Sequence, residues 1–211
     1  MVTSSTRGGS ADARRRRERA VSGARRELIL EAAREAFADK GLAGASLREI
    51  ARRAGYTPGA LYSYFDSKEA IYGALLGESL ERLNGAVGAA IEGAVAPRER
   101  LHRAADAFYV FYRDHPRELD LGFYLFNGVR PMGLTPELNA TLNARLRDAL
   151  APVEVALVDL GRPPAQAVAA TTALFAQMVG LLVLGHTGRI RLFGQQPDAL
   201  LADYLDALAS P

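Results

Sequence analysis

The stretch SLREIARRAGYTPGALYSYFDSKE, residues 46–69, mixes turn formers with residues that pack, and how it divides decides the fold. Gly55, Thr57, Pro58 and Gly59 suggest a turn, whereas Tyr56, Tyr62, Tyr64 and Phe65 suggest a packed surface. The helix signals separate the two. Ser46 precedes Leu47 with Glu49 three residues on, the pattern of a capping box, and Leu47, Ile50, Ala51 and Ala54 share one helical face. This predicts a helix of about two turns, stopped by Gly55. Thr57 then caps another short helix, Pro58 takes its first position, and Leu61 with Phe65 gives an inward pair at i, i+4.

Working outward, Ile29, Ala32, Ala33, Ala36 and Phe37 make a continuous stripe on a helix that starts at Arg25 and ends near Gly41. Downstream, Asp66 or Ser67 caps a further helix whose Ile71, Leu75 and Leu83 face inward. A longer helix followed by two short ones joined at a glycine is a helix-turn-helix, whose second member enters the DNA major groove. In that dock Thr57, Pro58, Gly59 and Ala60 leave little bulk between backbone and base edges. Tyr62 and Tyr64 project from the other faces, where a hydroxyl reaches phosphate.

Charge is distributed to match. Residues 1–70 hold 14 of the 26 Lys plus Arg and 9 of the 24 Asp plus Glu, a balance of +5 against −3 for the remainder. One end suits a polyanion and the other does not. Arg14, Arg15, Arg16, Arg17 and Arg19 sit among Ser, Gly and Ala without apolar periodicity, which predicts a basic flexible arm over residues 1–24. The absence of cysteine excludes disulfides, thiolate metal sites and a cysteine nucleophile. With no apolar stretch after the N-terminal arginines, the expected location is cytoplasmic.

Residues 25–76 resemble the DNA-binding domain of the TetR family of bacterial transcriptional regulators. The likeness runs through AAREAFADKG, SLREIARRAG, TPGALYSYF and the SKE that opens the following helix. It implies that Ser46 bonds phosphate at the head of its helix and that Arg48 contacts bases. It places Thr57, Gly59, Ala60 and Tyr62 on the recognition helix, gives Tyr64 an aromatic phosphate contact, and has Lys68 bind backbone phosphate.

The remaining two thirds carry a different composition. Seven of the sixteen aromatics, Phe108, Tyr109, Phe111, Tyr112, Phe123, Tyr124 and Phe126, cluster within a short span. Such a cluster is either core or the wall of a small-molecule pocket. The resemblance favours a pocket, with Phe108, Tyr112, Phe123, Phe126, Asn127 and Gln177 as lining and a small hydrophobic effector as ligand. Residues 163–188 form a long uncharged run, long enough to span a bilayer but interrupted by Gln166, Thr171, Thr172 and Gln177. A helix apolar on most faces is buried against several partners. A homodimer would supply them, through Leu174, Met178, Leu181 and Leu182 together with the final stripe Leu201, Tyr204, Leu205 and Leu208.

Catalysis finds no support: there are three histidines and no nucleophile elbow, Walker or dinucleotide loop. His102 and Asp106 share a helical face, with His115 nearby, but two ligands one turn apart make no metal site on their own. No cofactor is implied. The expectation is an all-α protein with a helix-turn-helix DNA-binding domain over 25–70 and a helical effector-binding and dimerisation domain over 71–211. It would act as a repressor released from double-stranded operator DNA by a small ligand. The alternatives are a DNA-binding protein without an effector and a membrane-anchored regulator using residues 163–188.

Overall fold

The structure, a computed structural model, describes residues 7–123 and 134–210. The described elements are all helical: α1 (Arg7–Gly44), α2 (Leu47–Arg53), α3 (Pro58–Tyr62), α4 (Lys68–Ile91), α5 (Pro97–Asp114), α6 (Pro116–Phe123), α7 (Pro136–Asp159), α8 (Pro164–His186) and α9 (Pro197–Leu208), with a 3₁₀ turn at Arg189–Phe193. Contacts divide the chain into two compact units, and the boundary falls between Leu75 and Leu76, inside α4.

The first unit has a small apolar core. Ile29, Ala33, Ala36 and Phe37 of α1, Ile50 and Ala51 of α2, Leu61 of α3, and Ile71, Tyr72 and Leu75 of α4 are all buried. Phe37 and Tyr72 meet edge to face at 5.8 Å, so the start of α4 belongs to this core. Gly41, at φ 66° and ψ 173°, breaks the helical path within α1 near the predicted end. Only glycine takes that conformation without strain.

Two boundaries differ from expectation. The segment read as a flexible arm is helical from Arg7, and its side chains are exposed from Asp12 to Arg25. Local effects account for this: Arg14 Nε donates to Glu18 at 2.8 Å across i, i+4, and Arg15 pairs with Asp12 across i, i+3. Periodicity could not show it, because a helix with no buried face has no apolar stripe. The recognition helix is also shorter than Leu61 and Phe65 suggested. It ends at Tyr62, and Phe65 reaches the core from the turn that follows.

In the second unit α5 is the central element, with Leu101, Ala104, Ala105, Phe108 and Tyr112 buried along one face. It packs on α7 and α8, and α7 packs on α8. Polar ties hold the layers in register. Asn84 Nδ2 on α4 donates to Arg145 O at 2.9 Å, and Arg145 donates back to Gly77 O at 3.2 Å. Arg100 pairs with Asp159 at 2.8 Å, joining α5 to α7.

The expected subunit interface requires a correction. Leu174, Met178, Leu181 and Leu182 of α8, and Leu201 and Leu205 of α9, are buried within a single chain, and Tyr204 and Leu208 are half-buried. The six buried residues form the inside of the unit, whereas Tyr204 and Leu208 keep part of their surface outside. At about 100° per residue, the opposite side of α8 carries Ala169, Ala173, Ala176 and Gly180. The three alanines are exposed and Gly180 is half-buried. By length and composition α8 could cross a membrane, with mean hydropathy 2.0, yet only 33% of its apolar window is buried in the chain. An apolar face therefore remains uncovered.

Candidate functional site

Each short helix of the first unit is fixed by its own cap. Ser46 Oγ accepts from Glu49 N at 3.3 Å and Thr57 Oγ1 accepts from Ala60 N at 3.2 Å. The turn between them is a Schellman closure around Gly55 at φ 74°, with Tyr56 N donating to Ala51 O at 2.8 Å and Gly55 N to Arg52 O at 3.2 Å. A side chain at residue 55 would be strained, so glycine there sets the angle between α2 and α3. Thr57→Ala should cost about 1 kcal/mol of thermal stability, measured by circular dichroism melting.

The Ser46 capping box is only half made. Glu49 does not reach back to Ser46; its carboxylate takes Lys40 at 2.7 Å and Arg53 at 2.9 Å, and these partners, Lys40 foremost, hold it below the usual carboxylate range. Arg53 also reaches Asp39 at 2.8 Å, so one guanidinium ties α2 to the end of α1. The site side chains stand around this rigid frame. Arg48, Thr57, Pro58 and Gly59 are exposed, as is Tyr62 at 54%, while Ala60 and Tyr64 are half-buried.

Two contacts were not legible in the sequence. Tyr64 lies beside Arg25 and pushes the pKa of that guanidinium up, and Arg26 lies over the Phe65 ring at 5.4 Å. Both link the basic face of α1 to the segment just after α3. Lys68 makes a further contact of this kind, beyond those two. Its Nζ donates to the carbonyls of Leu42, Ala43 and Ala45 at 2.8, 3.3 and 3.3 Å. An ammonium has three donors, and all three are taken by the end of α1 and the connection that follows it. A phosphate contact from Lys68 would displace those bonds.

In the second unit four rings close a circuit. Phe108 meets Tyr112 at 5.2 Å, Tyr112 meets Phe123 at 5.4 Å, Phe123 meets Phe175 at 5.8 Å, and Phe175 meets Phe108 at 5.8 Å. Tyr112 and Phe123 line a cavity of about 40 Å³ with Leu76, Leu80 and Leu142. Phe108, fully buried, is packed in the core rather than on the wall of this cavity. Gln177, expected to line the pocket, lies on the flank of α8 away from Phe175. Phe126 and Asn127 lie outside the described residues. Burial, aided by Glu118, pushes the Tyr112 pKa up, which keeps its hydroxyl neutral.

The seam between α5 and α9 is polar. Arg113 pairs with Asp198 at 3.0 Å, and burial followed by Asp198 pushes Tyr109 up to about 12. His102 Nε2 lies 3.3 Å from Asp206, and burial raises the pKa of Asp106. Among the described residues no three His, Cys, Asp or Glu gather as metal ligands.

A capped helix-turn-helix with exposed polar and basic groups, followed by a separate helical domain, defines a two-domain DNA-binding regulator. Residues 29–75 match the family described as bacterial regulatory proteins, tetR family, and residues 101–208 match the tetracyclin repressor-like C-terminal domain. The chain belongs to the TetR family of bacterial transcriptional regulators. It is similar to the HTH-type transcriptional activator FasR of Mycolicibacterium smegmatis, 38% identical over 101 residues covering 48% of this chain and 46% of FasR. It is also similar to the transcriptional repressor KstR2 of the same organism, 34% identical over 107 residues covering 45% of this chain and 51% of KstR2. The chain spans about half the length of these curated relatives, which are regulators rather than enzymes. Among solved structures, FadR from Bacillus subtilis in complex with stearoyl-CoA shares the fold, with a TM-score of 0.66 at 20% identity over 87% of this chain and 97% of FadR.

Proposed function

We propose that this chain is a homodimeric, cytoplasmic repressor that docks α3 in the major groove of a palindromic operator and leaves it when an apolar effector fills the second unit. The observation that carries the DNA reading is the capped α2–α3 pair presenting Arg48, Thr57 and Tyr62 outward. Gly59 and Ala60 admit the backbone closely, and Arg48 is the side chain placed to read a base edge. Ser46 and Tyr64 supply hydroxyls for phosphate, and Arg25 beside Tyr64 supplies charge. Lys68 acts as a positioning residue, holding α4 to the connection that leads into α2.

Support for an effector comes from the aromatic circuit and its cavity, and from the stearoyl-CoA held by a structure of the same fold. The second copy would cover the Ala169, Ala173 and Ala176 face of α8. Small residues there let two helices approach closely, and covering that face leaves no need for a membrane. Two recognition helices then address half-sites about 34 Å apart. Because α4 begins at the Lys68 anchor and continues into the second unit, its tilt can change that spacing.

Selection of binding sites from random DNA, followed by affinity measurement against salt, tests the reading. Arg48→Ala should lose about tenfold or more in affinity for the selected operator and relax preference at one base position per half-site. An enriched sequence bound equally well by this variant would remove Arg48 from the readout. The cavity's small volume favours a second reading, a DNA-binding protein without an effector. Failure of every apolar compound to release the selected operator would establish it.

A further inference from the structure

A second hollow opens on the other side of the aromatic circuit. It is a groove of about 300 Å³ between α7 and α8, with Leu146, Leu150, Val168 and Phe175 as its apolar walls. Leu146 and Asn143 line both this groove and the inner cavity. Phe175 faces the groove, while its ring neighbour Phe123 faces the cavity.

The groove also carries polar groups. Arg147 stands at the rim with 73% of its side chain exposed, held only at 3.9 Å by Glu154. Thr171 lines the wall and is buried, and its Oγ1 finds no hydrogen-bond partner among the described residues. A buried hydroxyl without a partner is costly, and a ligand oxygen would satisfy it.

Resting on the effector reading above, we infer that the α7–α8 groove is the way into the inner cavity, that Leu146 and Phe175 form its gate, and that it admits a single-chain amphiphile ending in a carboxylate. The alkyl chain passes between Leu146 and Phe175 toward Tyr112 and Phe123. Rotation of the two gating side chains joins the hollows and brings the volume into the range of small-molecule sites, which begins at about 300 Å³. The carboxylate stays at the rim, where Arg147 meets its charge and Thr171 donates to its oxygen. The groove lies on a different side of α8 from Ala169, Ala173 and Ala176, so a second copy on that face leaves it open.

The test uses the full-length protein with dodecanoate and uncharged dodecan-1-ol as probes, followed by calorimetry and stopped-flow fluorescence. Leu146→Trp should slow dodecanoate association at least tenfold, and Phe175→Ala should speed it at least threefold. Arg147→Gln should weaken dodecanoate about tenfold while leaving dodecan-1-ol within a factor of two. Melting curves confirm that each variant is folded. If Leu146→Trp and Phe175→Ala both load at the parent rate, or if neither probe binds the parent, the gate is overturned. If the probes bind with the expected gating but release no operator, the gate stands and the effector reading fails.

Discussion

Met178→Asp is expected to unfold the second unit rather than to split a dimer. Met178 is fully buried within one chain, beside Leu174, Leu181 and Leu182 on the inner face of α8. A carboxylate there has no cation to pair with on that apolar face, and an unpaired buried charge costs about 3–5 kcal/mol. That is a large part of the stability of an ordinary domain. Urea unfolding at neutral pH should show the loss as a lower midpoint. Ala176→Arg is the contrasting variant. It adds bulk and charge on the exposed side, so it should melt near the parent temperature yet sediment as a monomer and lose operator affinity. A folded, monomeric Met178→Asp protein would return the interface to the inner face of α8 and sink this assignment.

That contrast shows why the first unit was readable in the sequence and α8 was not. Ser46, Gly55, Thr57 and Pro58 act within three or four residues of themselves, so their identity is enough to place two helices and the turn between them. The inward stripe of α1 is equally local. In α8 nearly every position is apolar, so periodicity cannot choose a side, and the largest side chains were assigned to a partner. They fill the chain's own core instead, and the small residues are left outside. Size was the available signal: a close-packed interior takes the leucines and the methionine, which leaves the alanine side of the helix outside.

The site divides along the same line. Exposure of Arg48, Thr57 and Tyr62 follows from the caps and the inward pair, so these were legible. Glu49 was read as part of a capping box because Ser46 lies three residues before it, but Lys40 and Arg53 offer it stronger charge-assisted bonds. The proximity of Arg25 and Tyr64 joins residues far apart in the chain and leaves no trace in local spacing. Phe175 stands apart in sequence from the aromatic cluster it completes, so composition alone does not place it there.

Lys68→Met should lower the stability of the first unit by about 2 kcal/mol, because hydrogen bonds to a charged donor are each worth about 1.5–3 kcal/mol and water recovers part of the loss. Methionine keeps the apolar stem and removes all three donors, so the carbonyls of Leu42, Ala43 and Ala45 lose their common partner. Those residues lead directly into Ser46, the cap of α2. Releasing them frees α2 and α3 from the start of α4, so operator affinity should fall for all sequences and the release by an effector should be blunted. The slope of log affinity against log salt separates this role from a phosphate contact. Removing one phosphate-bound cation would reduce the slope by about one unit, whereas removing a positioning residue leaves it unchanged. The expected result is a lower melting temperature, weaker binding and a parent slope. A slope lower by one unit with parent stability would instead put the ammonium on the DNA backbone.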